Sequence, residues 1–292
     1  MKVLEERQLE SAVIELLRGL PERSQKILIK RFGLHDDNVY TLDFIGKEFG
    51  VSRERIRQIE VNSFDFLKNV KKSKKINEIF DFIYYSLKNE GGFLDRENFE
   101  KIIFGKKVSV HQKNQLVFLF NTLPKLYYQK DTVNFSGVWY FASKKNEVKK
   151  LNNLHEKFVK YFKEIGSVTK LKELEILIQT DAFTKNDKEF FQRDNGMKRL
   201  KIILNGSKLI GKNIVNEWGL LSWNIIAQKY VKEKAFLILK KNKKPLHFRE
   251  LTEHMNKNWR DKKTLPQTVH NVIIKYEEFI FVKPGTYTIK EK

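Results

Sequence analysis

The chain of 292 residues carries 57 lysines and arginines against 36 aspartates and glutamates, a net charge of +21, with 41% hydrophobic residues and no cysteine. That hydrophobic share excludes a disordered composition, and the missing cysteine excludes disulfides and thiolate metal sites and fits a reducing compartment. No apolar run approaches the roughly eighteen residues a membrane helix needs, so a basic field of this size points to a polyanion as partner.

The opening "MKVLEERQLESAVIELL" carries acids early and lacks a small-residue cleavage site, so a cytoplasmic, nucleoid-associated location is expected. A helix is predicted over residues 8–18, with Leu9, Val13, Leu16 and Leu17 on one face. A second helix is predicted in "LPERSQKILIKRFGL". The stretch "TLDFIGKEFG" predicts a short helix from Leu42 with Thr41 as its cap, Leu42, Ile45 and Phe49 inward, and Gly46 small enough for a close crossing. Gly50 supplies the positive φ of a turn. In "GVSRERIRQIEVNSFDFL" Ser52 is placed as N-cap and Glu54 suits the helix dipole. Helical spacing gathers Ile56, Ile59, Ser63, Phe66, Leu67 and Val70 into one buried stripe. Glu54, Arg57, Gln58 and Val61 fall opposite it. A short helix, a glycine turn and a second helix with a charged outer face make the helix-turn-helix pattern, whose second helix enters a major groove.

These residue types suit base edges. Arginine donates twice to guanine, glutamate accepts from cytosine, glutamine pairs with adenine, and valine meets a thymine methyl. "LPERSQKILIKRFGL" followed by "TLDFIGKEFGVSRERIRQIE" closely resembles region 4 of sigma-70-type RNA polymerase sigma factors, over roughly residues 8–72. The resemblance implies reading of a −35 promoter element, with Arg53, Glu54 and Gln58 at base-contacting positions and Arg31, Arg55 and Arg57 among backbone and nearby contacts. The DNA-binding set is therefore Arg31, Thr41, Ser52, Arg53, Glu54, Arg55, Arg57, Gln58 and Val61. The family also carries a preceding region that opens the −10 element. It is expected to be missing here, so the chain alone should not melt a promoter. By the same analogy, region 4 docks on the polymerase flap through a hydrophobic surface. Leu9, Val13, Leu16 and Leu17 could serve either that surface or the core.

A linker is predicted at residues 68–75, with Lys71 and Lys72 as candidate phosphate contacts. Beyond it, three segments repeat one plan of helices followed by an aromatic-rich hairpin. The hairpins end "LYYQKDTVNFSGVWYFA", "KLIGKNIVNEWGLLSW" and "FIFVKPGTYTI". Three helices and a hairpin are the winged-helix plan, so Trp139, Tyr140, Trp218, Trp223 and Tyr287 are expected to pack on their helices, with base stacking as the alternative. The fold class expected is mainly α with small β-hairpins. Its divisions are a helix-turn-helix domain over 1–72 and winged-helix-like modules over 76–150, 151–231 and 232–292.

The last segment, "AFLILKKNKKPLHFRELTEHM" with "TLPQTVHNVIIKYEEFIFVKPGTYTI", resembles a HARE-HTH domain. The resemblance implies association with nucleic acid or polymerase. Lys240, Lys241, Lys243, Lys244, Lys262 and Lys263 are candidate phosphate contacts or a solvated face. Its recognition helix offers only Gln267, His270 and Asn271 as readers. Enzyme readings fare poorly. Asp131 with Glu147-Val148-Lys149 spells a nuclease motif within a polar run, the six histidines are scattered, and no P-loop or nucleophile motif is present.

The reading is a non-enzymatic, sequence-specific transcription factor that binds double-stranded DNA and RNA polymerase core, with no cofactor, metal, membrane or small-molecule ligand. The alternatives are a polymerase-binding protein at a flap or delta-like site with little sequence-specific DNA binding, or the DNA-recognition subunit of a restriction or defence system.

Overall fold

The computed structural model describes residues 3–95, 99–106, 108–141, 145–192, 195–260 and 263–290. Its chain forms two compact units, the first made of residues 1–132, 136–150 and 194–202 and the second of the remainder. Fifteen helices and nine short strands are present among the described residues.

The first unit opens with α1 (Glu6–Arg18), α2 (Glu22–Phe32), α3 (Leu42–Glu48) and α4 (Arg53–Asn69). α5 (Lys74–Asn89), β1 (Phe93–Asp95), α6 (Phe99–Phe104), α7 (Val110–Thr122), β2 (Leu126–Gln129) and β3 (Val138–Phe141) follow. Between α4 and α5 the predicted linker shrinks to a short turn, because Ser73 caps α5 by accepting from the Ile76 amide at 3.3 Å. The strands form an antiparallel sheet in the order β1-β3-β2.

One core runs from Leu4 to Trp139. Leu9, Ala12, Val13, Leu16 and Leu17 of α1 share it with Leu116, Leu119 and Phe120 of α7. The α1 leucines predicted to serve either a docking surface or the core are thus core, each at most 8% exposed. Burial of such side chains stabilises by about 1.5–3 kcal/mol each, which a free docking face would forgo. Phe32 of α2, Phe64 of α4 and Phe118 of α7 meet as a ring triangle with centroids 5.3, 5.7 and 5.9 Å apart. The loop from α2 to α3 is pinned to α7. Asp37, at φ 64°, lies 2.8 Å from the His111 ring, and Asn114 donates to the carbonyls of Gly33 and Asp37, each at 3.3 Å.

Further along the chain lie α8 (Lys145–Ile165), β4 (Thr169–Lys170), α9 (Leu171–Gln179), α10 (Lys185–Gln192) and α11 (Gly196–Gly206), the last beginning in the first unit and ending in the second. Next come β5 (Ile210–Lys212), β6 (Glu217–Leu220) and α12 (Asn224–Ala227). The chain ends with α13 (Val231–Asn242), β7 (Leu246–His247), α14 (Phe248–Asn258), α15 (Pro266–Ile273), β8 (Phe279–Lys283) and β9 (Thr286–Ile289). Its sheets run β4-β6-β5 and β7-β9-β8. All three sheets therefore share one order, in which a strand between the first two helices pairs with the last strand of a hairpin. That is the tandem winged-helix architecture. Hairpin prediction missed that first strand each time, along with α10 and α12.

Trp139 is buried against Phe120 of α7 and Tyr287 against His270 of α15, and Trp218 is buried, whereas Tyr140 and Trp223 are half-buried. In the second unit His155 is 2% exposed, with Nε2 2.6 Å from the Ser207 hydroxyl. That hydroxyl already accepts from the Leu209 and Ile210 amides at 3.0 and 2.9 Å. Its proton must therefore go to His155, which places the imidazole proton on Nδ1 and keeps the ring neutral. Burial pushes the His155 pKa down.

Candidate nucleic-acid interface

The helix-turn-helix is built on a small apolar corner. Ile27, Ile45 and Ile56 are fully buried, and Tyr40, Leu42, Phe49, Val51 and Ile59 pack around them. A Cβ at Gly46 would stand 2.7 Å from the Val51 carbonyl oxygen, so only glycine lets α3 approach the turn this closely. Gly50 takes φ 66°, the left-handed conformation that the turn requires. Thr41 Oγ1 accepts from the Phe44 amide and Ser52 Oγ from the Arg55 amide, each at 3.2 Å. Both predicted caps are thus formed. Each hydroxyl keeps its own proton for another acceptor.

From this base α4 presents Arg53, Glu54, Arg55, Arg57, Gln58 and Val61, all exposed. Arg57 Nε donates to Glu54 Oε2 at 2.9 Å and Nη2 to Oε1 at 2.7 Å. The hydrogen bond from Arg57 holds the Glu54 carboxyl below the usual carboxylate range. Arg55 Nη1 lies 3.3 Å from Gln58 Oε1, and Arg53 Nε is 4.0 Å from Asp43 Oδ2. Arg53 is therefore the least restrained of the three arginines.

The other candidates are placed differently. Arg31 is half-buried, donates to the Tyr40 carbonyl at 3.1 Å and lies 3.5 Å from Glu60, so it braces the loop against α4. Lys72 is half-buried over the Phe80 ring and donates to the carbonyls of Lys68 and Val70 at the end of α4. Burial pushes its pKa down. Lys240 lies 2.6 Å from the buried Glu217 and so is tied into the fold. Lys71, Lys241, Lys243, Lys244 and Lys263 are exposed, and Lys262 lies outside the described residues. His270 is half-buried, 3.0 Å from the Tyr287 hydroxyl with its ring 4.7 Å from that of Phe248, so of the three residues predicted as readers on α15 only Gln267 and Asn271 are exposed.

The predicted buried stripe of α4 needs a correction. Phe66 and Val70 are 48% and 36% exposed, and Phe64 is buried in their place. α7 approaches α4 from the Phe64 side and closes the triangle with Phe32 and Phe118, which rolls Phe66 outward. Phe66 then lines an open, mainly apolar groove of about 530 Å³ with Leu20, Pro21, Arg55 and Ile59. Sequence reasoning missed this groove because it had assigned Phe66 to the core.

Residues 16–69 match the family model of sigma-70, region 4. Residues 229–291 match the HARE-HTH model, a helix-turn-helix domain whose description names ASXL and restriction endonuclease proteins. HTH-type domains therefore stand at both ends of the chain. The chain is 43% identical over 75 residues to the RNA polymerase sigma factor SigA of Clostridium acetobutylicum, covering 26% of this chain and 20% of that protein. It is 42% identical over 67 residues to the SigA of a Bacillus species, covering 23% of this chain and 18% of that protein. The chain thus spans about a fifth of the length of these curated relatives. No solved structure matches it. Among the described residues, no helix is long and apolar enough to cross a membrane, and no group of three histidines or acids is placed to hold a metal ion.

Proposed function

We propose that this chain is a DNA-binding transcription factor that reads a −35-like duplex element with α4 and modulates initiation by RNA polymerase, without a catalytic step of its own. One observation carries the reading. The exposed face of α4 gathers two-armed donors, one carboxylate and one carboxamide on a helix whose start is fixed by Ser52 and whose inner face is fixed by Ile56. Direct readout needs those groups at fixed positions. Lysines such as Lys71, Lys243 and Lys244 would supply phosphate contacts that add affinity but no sequence information. Genome-wide occupancy of the tagged protein tests the reading. Enrichment at a common motif upstream of transcription starts, lost on Arg53→Ala, is expected, and occupancy without a shared motif would overturn it.

A second reading, a polymerase-binding protein with little sequence preference, is favoured by the groove under Phe66. It is apolar and open and lies beside the start of α2. A polymerase pulldown with nuclease-treated extract separates the two. Capture that survives removal of DNA and is lost on Phe66→Asp supports the second reading.

A further inference from the structure

The C-terminal sheet has an edge that the helix-turn-helix reading leaves unused. β8 (Phe279–Lys283) is the longest strand among the described residues, and it lies outermost in the order β7-β9-β8. Among the described residues no strand pairs with its outer edge, so its outward N–H and C=O groups are open to a further strand. Ile280, Phe281 and Val282 are 42%, 61% and 48% exposed, three successive apolar side chains. No other strand exposes such a run among the described residues. An edge of this kind is a template for pairing with another chain.

The charges at its ends say which chain. Glu277 and Lys283 are both exposed, and neither has an ion-pair partner among the described residues. Glu278 is already held by Lys232 at 2.7 Å. A second copy of the strand, laid antiparallel with Ile280 opposite Ile280, sets each Glu277 across from a Lys283 and each Phe281 across from a Phe279. Moving the axis by one residue sets Lys283 against Phe279, or Glu277 against Phe281, and forfeits both ion pairs. Opposite charges and apolar pairs directly across antiparallel strands are favourable. The β-bulge between Phe281 and Lys283, followed by Pro284 with no N–H, ends the ladder on that side. The contact therefore closes on itself as a two-fold pair instead of running on.

We propose that β8 pairs with β8 of a second copy of this chain, joining two three-stranded sheets into one across a two-fold axis. The contact is small, so the dimer dissociates in the micromolar range. The charge of +21 on each copy opposes association. Salt relieves that repulsion by screening distant charges, while adjacent pairs keep more of their attraction.

The test uses the full-length protein in sedimentation equilibrium at about 0.15 M salt, where exposed charges more than about 8 Å apart are largely screened. The mass should rise toward that of a dimer as concentration increases from about 1 to 100 μM. Glu277→Lys and Lys283→Glu should each weaken the dimer about 5- to 30-fold, because each turns both ion pairs into like-charge contacts. Glu277→Lys/Lys283→Glu should restore it, which a variant that had merely lost its fold could not do. The chain has no cysteine, so a single introduced one reports the register. The two Ile280 Cα atoms would stand about 4.5–5.5 Å apart across the axis, within reach of a disulfide. Ile280→Cys should give a cross-linked dimer under mild oxidation. Ile176→Cys on α9, more open to solvent at 61% exposed, should not. A monomer throughout the concentration range would overturn the proposal, as would single reversals without effect, losses that the double reversal does not restore, or equal cross-linking of the two cysteine variants. Reversals that change duplex affinity while the mass stays monomeric would overturn it too and assign β8 to nucleic acid.

Discussion

Arg57 grips Glu54 one turn away on α4 with both arms, Nε at 2.9 Å from one carboxylate oxygen and Nη2 at 2.7 Å from the other. Both side chains are more than half exposed, so the pair adds little to folding. Its effect is on geometry, because the carboxylate is held in one orientation before any base arrives. The guanidinium occupies one side of the carboxylate, and the remaining lone pairs can still accept from a cytosine amine.

Arg53→Ala should cost about 1–3 kcal/mol on the preferred duplex and relax one position of the site. Arg53 is exposed on the outer face of α4 and only loosely near Asp43. Titration against preferred and scrambled duplexes checks this. Equal weakening of both would mean that Arg53 meets phosphate instead of base.

If Glu54 selects cytosine as proposed, it should do so equally well as the solution is acidified. Arg57 lowers its pKa, so the charged acceptor is present at neutral pH and is lost only as pH falls through a value below the usual 4.5. Base discrimination at that position should therefore stay level between about pH 7 and 5. Glu54→Gln should lose it at every pH, as competition binding over a pH series would show.

Gly46→Ala should destabilise the first unit by about 1–3 kcal/mol, because the new methyl meets the Val51 carbonyl, which is backbone and cannot swing away. Thermal melting measures that cost. Duplex binding should fall with it, since Val51 and Ser52 set the start of α4.

His155 should make the second unit sensitive to mild acid. The folded state lowers its pKa below the ordinary 6.5, so the unfolded chain takes up a proton first. Its contribution is full above about pH 6.5 and declines as pH falls from there through the folded value. His155→Gln should flatten the melting temperature between about pH 7 and 5 relative to the parent. An unchanged slope would place the acid sensitivity elsewhere.

Lysines near the α13–α14 turn should separate by role. Lys243→Ala and Lys244→Ala should each reduce the slope of log affinity against log salt by about 1 while leaving stability unchanged. Lys240→Ala should instead cost about 1–3 kcal/mol of stability, because the buried Glu217 loses its cation.

Local chemistry was legible in the sequence. Thr41, Ser52, Gly46 and Gly50 act within a few residues of themselves, and each sits where a cap, a close crossing or a turn demands that residue type. What was not legible is long in range. His111 and Asp37 are 74 positions apart, so no local pattern announces their contact. An ideal helical wheel put Phe66 in the stripe, but the partner that selects Phe64 is α7, far along the chain. Lys240 sits in a run that reads as solvated surface, and only the fold brings Glu217 to it. Strands of two or three residues, such as Leu246–His247, are too short for alternation to show.

The shared core of α1 and α7 also limits how the helix-turn-helix can be handled as an evolutionary or laboratory part. Cut away after α4, the piece would carry Leu9, Val13, Leu16 and Leu17 uncovered on one helix, Phe64 without Phe118, and a loop no longer tethered at Asp37. Such a fragment would be adhesive and slack where a transplantable cassette must be inert and stiff. Grafts of this helix-turn-helix onto other proteins should therefore carry the chain through Phe141, and gene fusions that preserve its fold should join beyond that point.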